Sequence, residues 1–196
     1  MTRLDSGGPG RVTLGIMNTY DRRTLREPHR RAIARAGAVA AAFDCNLALF
    51  AFPLPGAVRT PEELAAWSGE KTTIGQDAEY FQRIAKEGRV GLFAEPRAGF
   101  PPQFGTPVAT TSNPRLGKLL KVEALGERIR GGESVLLVFG LGPHGLPAEV
   151  RRACAADFDV TEAGFSLETA TAIGAVTAVV WYAARKRPPA HRPQAP

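Results

Sequence analysis

A chain of 196 residues with 44% hydrophobic positions is long enough for one substantial core and too short for two, which excludes both a multidomain assembly and a low-complexity chain. Its 25 Lys and Arg outnumber 19 Asp and Glu for a formal charge of +6, a balance that suits a polyanionic partner and equally an Arg-rich solvated surface. Two cysteines beside apolar runs, Cys45 and Cys154, and three scattered histidines, His29, His144 and His191, give neither a disulfide framework nor metal-ligand spacing, so no metal and a reducing, cytoplasmic setting are expected.

The polar, Gly-rich opening MTRLDSGGPGR has no apolar stretch of the kind a secretion signal needs, and residues 1–11 read as a flexible lead. Residues 12–185 read as one domain. VTLGIM at 12–17 predicts a first strand, followed by the polar loop NTYD. Residues 28–43 carry Pro28 in a first-turn position and apolar residues at Ile33, Ala36, Ala40 and Phe43, the pattern of an amphipathic helix. NLALFAF at 46–52 predicts the next strand, stopped by Pro53, Pro55 and Gly56. Thr60, Pro61 and Glu63 form a capping box that opens a helix. A second helix is expected over 77–87, ended by Gly88, and a strand over 90–94. After a Pro- and Gly-rich loop come a strand at 107–111, a helix at 118–129, a strand at 135–139, a helix at 147–155 and a short strand at 158–161. Strands alternating with helices imply an α/β fold, a parallel sheet flanked by helices. The tail 186–196, RPPAHRPQAP after Lys186, reads as disordered, basic and Pro-rich.

Residues 169–184, TATAIGAVTAVVWYAA, are uncharged and followed by Arg185, Lys186 and Arg187, the outline of a membrane anchor. The run has 16 residues where a spanning helix needs roughly 20, so a buried core helix, starting at Ser166 or Leu167, is expected, and no membrane partner.

VLLVFGLGPHGLPAEV holds glycines at 140, 142 and 145, with Asp159 19 residues after the first, which is the spacing of a dinucleotide-binding fingerprint. Such a loop feeds directly into a helix whose N-terminus faces a pyrophosphate. Here Pro143 and Pro147 delay the helix, and the loop sits on a late strand rather than the first. A nicotinamide oxidoreductase is therefore the weakest of three readings. A second small-residue loop, DVTEAGFSL, follows the next strand, so two loops can close on one flat ligand.

Taken together, LLVFGLGPHGLP at 136–147 and DVTEAGFSLETATAIG at 159–174 resemble the SPOUT class of S-adenosylmethionine-dependent RNA methyltransferases. In that class a pattern like L-V-x-G-x-E-x-x-G-L-[PS] is followed by one like I-P-M-x-G-x-x-x-S-L-N-x-S-x-A. Gly140, Gly145, Leu146, Gly164, Ser166, Leu167 and Ala172 match in order. The loop glutamate of the class is absent, and Glu168 stands where an asparagine is usual. The chain is most similar to an archaeal branch of the class known as a domain of unknown function. The resemblance is specific over 105–182 and looser before it.

The resemblance implies a deep C-terminal trefoil knot and a homodimer formed through the last helix. That helix carries a small-residue row, Ala170, Gly174 and Ala178, which suits either an interface or internal packing. It further implies a methyl donor, S-adenosylmethionine, held by Thr110 and Thr111, by Gly140, Leu141, Gly142, Gly145 and Leu146, and by Val160, Thr161, Phe165, Ser166 and Leu167. A motif like N-x-G-x-I-x-R-T-A is approximated by AIARA at 32–36, which makes Arg35 the candidate catalytic arginine and Arg31 its competitor. A guanidinium is too basic to accept a proton readily, so its expected work is to position phosphate and nucleophile. Glu168 is a candidate general base, or equally a carboxylate stabilising the helix start. Arg22, Arg23, Arg26, Arg30 and Arg31 gather around one loop and helix start, as contacts to an RNA backbone or as a solvated face. The expected activity is methylation of tRNA or rRNA, at a ribose 2′-hydroxyl; the alternative is a SPOUT-fold RNA-binding protein without catalysis.

Overall fold

The apolar runs become strands and the amphipathic stretches between them become helices, in the order β1 (Val12–Met17), α1 (Glu27–Ala42), β2 (Asn46–Phe50), α2 (Pro61–Gly69), α3 (Gly75–Lys86), β3 (Val90–Phe93), β4 (Thr106–Thr110), α4 (Val122–Arg130), β5 (Val135–Gly140), α5 (Ala148–Arg152), β6 (Ala156–Phe158) and α6 (Thr169–Arg185). A 3-10 turn at Pro102–Phe104 precedes β4. The computed structural model describes residues 8–56, 58–69 and 75–185; most of the expected lead and all of the tail 186–196 lie outside the described residues.

The six strands form one sheet in the order β3-β2-β1-β5-β4-β6. Every neighbouring pair is parallel, so each connection must cross a face of the sheet. The long helices all lie on one face. Ile33, Ala36 and Ala40 of α1, Phe81 and Ile84 of α3, Leu125 and Ile129 of α4, and Ile173, Val176 and Val180 of α6 pack there on Leu14, Ile16, Leu47, Leu49, Leu137 and Phe139. The other face, with Met17, Phe50, Leu136 and Val138, is covered by Val150 and Cys154 around α5 and by Phe93, Phe100 and Phe104. β5 therefore sends alternate residues into two cores, which is why its sequence is apolar throughout.

The capping box at α2 forms as expected: Glu63 N donates to Thr60 Oγ1 at 3.2 Å and Thr60 N to Glu63 Oε2 at 3.1 Å. Four expected boundaries are corrected. β2 ends at Phe50 rather than Phe52, because Ala51 turns to φ 58° and its carbonyl accepts from Asn18 Nδ2 at 3.0 Å. α4 starts at Val122 rather than Lys118. The preceding residues extend along β6 instead, where Asp157 N donates to Lys118 O at 2.9 Å and Leu120 N to Asp157 O at 2.8 Å. β6 occupies Ala156–Phe158 in register with Val108–Thr110, earlier than 158–161, since the Asp159 side chain bends the chain immediately after it. α6 starts at Thr169 rather than at Ser166 or Leu167, because the Glu168 side chain caps it. No described helix is long and apolar enough to cross a membrane.

α6 buries Ile173, Val176, Thr177 and Val180, whereas the row Ala170, Gly174 and Ala178 stays partly exposed, with open space at Gly174. The close helix contact is made elsewhere: a Cβ at Gly126 of α4 would lie 2.7 Å from the Ala183 carbonyl. Gly126→Ala should push α4 from α6 and, despite better helix propensity, lower stability by about 1–3 kcal/mol. Urea unfolding checks this; an unchanged midpoint would mean the two helices separate freely.

Candidate functional site

Ligands in parallel sheets bind beyond the carboxyl ends of the strands, and here β4, β5 and β6 end together around one cavity of about 710 Å³. Its floor is the end of β5. A Cβ at Gly140 would lie 2.5 Å from the Gly145 carbonyl carbon and 2.9 Å from Leu146 N, so the loop folds back on itself in contact that only glycine permits. Gly145, at φ 64°, makes the return turn. Pro147 is then the cap of α5, and the helix begins at Ala148. The loop is thus closed on itself rather than opened onto a helix terminus.

The second wall is 159–168. The Asp159 carboxylate accepts from Thr161 N at 2.9 Å, Thr161 Oγ1 at 2.7 Å and Gly164 N at 2.9 Å. Burial would raise its carboxyl, but the Thr161 and Gly164 hydrogen bonds outweigh that and hold it below the usual range. The acidic residue of the apparent fingerprint therefore shapes its own loop. Glu168 Oε2 accepts from Ala170 N at 2.9 Å and Thr171 N at 3.2 Å, which caps α6 and explains why the helix starts after it. Thr169 Oγ1 donates to Gly140 O at 3.2 Å and joins the two glycine loops.

The third wall, Thr110 to Asn113, is braced by a buried ion triad. Asp157, with a side chain 0% exposed, receives Arg115 Nη2 at 2.6 Å and Arg151 Nη2 at 3.2 Å. Arg115 Nε at 3.0 Å and Arg115 N at 2.7 Å complete the set on Oδ2. Burial raises the Asp157 carboxyl, and the hydrogen bonds from Arg115 and Arg151 more than reverse it. Arg151 Nη2 also donates to Asn113 O at 2.7 Å. The two cysteines take no part in this chemistry; burial pushes each thiol up to about 12.

The fourth wall is the loop after β1, whose Tyr20 lines the cavity. His29, fully buried, holds this loop. Arg26 N donates to Nδ1 at 2.9 Å, which fixes the neutral tautomer with its proton on Nε2, facing Asn18 Oδ1 and Asp21 O at 3.1 Å each. Tyr20 and Phe52 pack edge-on against its ring. Asp21 accepts from Arg23 N, Arg26 Nε and Thr24 N, which together lower its carboxyl to about 2.

Eleven of the twelve residues expected around the methyl donor line the cavity: Thr110, Thr111, Gly140, Leu141, Gly142, Gly145, Leu146, Val160, Phe165, Ser166 and Leu167. Thr161 does not; it braces the loop from behind. Glu168 lines the cavity, while Arg35 lies exposed on α1 outside the lining. Of the five clustered arginines, Arg22 pairs with Glu95 at 2.9 Å, Arg26 with Asp21 at 2.6 Å and Arg31 with Glu27 at 3.1 Å. Arg30 stacks on Trp67 at 3.7 Å, and Arg23 is exposed with no side-chain partner among the described residues. Tyr20, Asn113 and Arg151 also line the cavity without having been singled out in the sequence. For Arg151 the one available signal is its place beside Val150 and Cys154, whose i, i+4 spacing marks the buried face. Among the described residues no group of three His, Cys, Asp or Glu side chains has the arrangement of a metal site.

Burial holds the His29 pKa below its ordinary 6.5, partly opposed by its hydrogen bond to Asp21 O. The unfolded chain then binds the proton first, so stability is full above pH 6.5 and falls as pH drops toward the folded pKa. His29→Gln should remove this component of the slope. Chemical denaturation across pH 5–7 measures it, and an identical slope in the variant would exclude His29 as its source.

The family described as "Protein of unknown function (DUF531)" matches residues 12–181. An uncharacterised protein of Methanocaldococcus jannaschii, MJ0224, is 38% identical over 180 residues, covering 87% of this chain and 94% of that one. Among solved structures, a "probable methyltransferase" from Bordetella pertussis superposes with a TM-score of 0.60 at 17% identity, covering 89% of this chain and 96% of the other. An AdoMet-bound rRNA methyltransferase from Sinorhizobium meliloti gives 0.50 at 16%, covering 90% of this chain and 56% of the other. At such identities the likeness is one of fold, and the neighbours that share it are methyltransferases of the SPOUT class. By sequence, the chain belongs to the DUF531 family.

Proposed function

We propose that this protein is an S-adenosylmethionine-dependent RNA methyltransferase acting on tRNA or rRNA at a ribose 2′-hydroxyl. The observation that carries the reading is the cavity itself. It is framed by two glycine-containing loops at the ends of β5 and β6, which flank β4 in the sheet, and its upper wall holds Phe165 and Leu167 at 71% and 36% exposure. Large apolar side chains exposed over a cavity await a flat apolar ligand. The N–H groups of Leu146, Ser166 and Leu167 have no partner among the described residues, which suits the polar edge of an adenine. The volume also falls in the range of small-molecule sites. These residues fit S-adenosylmethionine, which when bound supplies an electrophilic methyl group. The likeness in fold to an AdoMet-bound rRNA methyltransferase supports the same donor and substrate class.

The chain's own part is to hold, orient and deprotonate. Glu168 spends Oε2 on the α6 cap, and Oε1, without a partner among the described residues, is free to take the proton of an attacking hydroxyl. Arg35, outside the lining, is assigned to positioning the RNA phosphate and nucleophile. The pairs made by Arg22, Arg26 and Arg31 are solvent-exposed and weak, so phosphates can displace their carboxylates.

Two structural parts belong to the proposal. The segment 159–168 runs between the loops after β4 and β5, then returns to pack as α6 on α4, a path suited to the trefoil knot. The partly exposed row Ala170, Gly174 and Ala178, with Val179 and Tyr182 at 39% and 63% exposure, suits a homodimer through α6. A binder without turnover is the second reading, favoured by the loop itself: Leu141 is buried and Gly142 follows, where the class carries a glutamate.

Calorimetry should detect S-adenosylmethionine binding and no NAD binding; NAD binding alone overturns the proposal. Methyl transfer to unmodified RNA separates enzyme from binder. Arg35→Ala should reduce transfer by about a hundredfold or more while leaving donor affinity intact. Arg23→Ala should lower the salt dependence of RNA binding by about one phosphate contact, read from log K against log salt.

A further inference from the structure

Arg151 is the one Lys or Arg side chain among the described residues that line the cavity. Its Nη2 makes both of its hydrogen bonds, to Asn113 O and Asp157 Oδ2. Nε is buried without a partner, and Nη1 has no acceptor among the described residues. A guanidinium with five donors is therefore less than half used.

Its charge is unmatched too. Asp157 is already held two-pronged by Arg115, so the triad of Arg115, Arg151 and Asp157 carries a net positive charge at the cavity wall. The two carboxylates that line the cavity make no ion pair with it: Asp159 is turned into its own loop by Thr161 and Gly164, and Glu168 caps α6 through Oε2, so the one carboxylate on Arg151 is the shared Asp157. Arg151 lines the cavity with 22% of its side chain exposed, so a ligand seated there can reach it. Resting on the function proposed above, we infer that Arg151 binds the α-carboxylate at the amino-acid end of the methyl donor. The loop 110–113 and α5 thereby form the polar part of a pocket that Phe165 and Leu167 line with apolar surface.

The test compares two ligands that differ in that carboxylate, by calorimetry on the full chain. S-adenosylhomocysteine carries it; 5′-methylthioadenosine keeps the adenosine and thioether without it. Arg151→Gln should weaken S-adenosylhomocysteine about tenfold or more, the loss of a hydrogen bond to a charged group, and leave 5′-methylthioadenosine within about twofold. Arg151→Lys, which keeps the charge but loses the fork, should weaken the first ligand by a few-fold and spare the second. Equal losses for both ligands would reduce Arg151 to a brace for the wall, and no loss for either would also overturn the inference. If Arg151→Gln does not fold, Arg151→Lys decides by the same contrast. A loss confined to RNA affinity would assign the guanidinium to phosphate instead. A wild-type protein that binds neither nucleoside overturns the proposed function itself, an outcome distinct from all of these.

Discussion

The carboxylate of Asp157 is the constraint around which the cavity end of the sheet is organised. A fully buried carboxylate is strongly unfavourable unless paired and hydrogen-bonded, and Asp157 has both kinds of partner in Arg115 and Arg151. Each partner belongs to a different piece of chain. Arg115 lies in the connection between β4 and α4, Arg151 in α5, and Asp157 itself in the edge strand β6. One charge thus ties the distant connection before α4 to the consecutive elements α5 and β6. The same stretch of connection, through Lys118 O and Leu120 N on either side of Leu119, hydrogen-bonds along β6 and covers what would otherwise be an open sheet edge.

Where a residue's environment follows from its local pattern, the sequence was a sound guide. β1 matched to the residue, and the capping box of α2 formed as its spacing required. Boundaries shifted where a long-range partner outcompeted local propensity. Lys118 to Leu120 have a helical neighbour but pair with β6; Phe52 extends an apolar run but follows a turn set by Asn18. At α6 the side chain of Glu168 caps the helix, which no apolar periodicity reports.

The candidate site divides in the same way. Glycines that make a close approach are visible by type and spacing, and Gly140 and Gly145 sit where such loops need them. A residue such as Arg151 is invisible, because its importance arises from a buried acid six positions away and from a carbonyl on another loop. The arginines around α1 were legible as a cluster, but their pairing with Glu95, Asp21 and Glu27 or stacking on Trp67 depends on how the loops fold. Sequence can count charge; it cannot assign it to partners.

The central position of β5 has a consequence for how the cavity's two halves respond to solvent. Because its side chains enter both cores and its backbone is paired on both sides, exposing its amides to water requires parting β1, β4 and both layers of packing at once. The segment 162–168 opposite is exposed throughout and hangs between the Asp159 turn and the Thr169 contact to Gly140. In amide exchange the floor reports the free energy of global unfolding, and the roof reports only whether something lies beneath it.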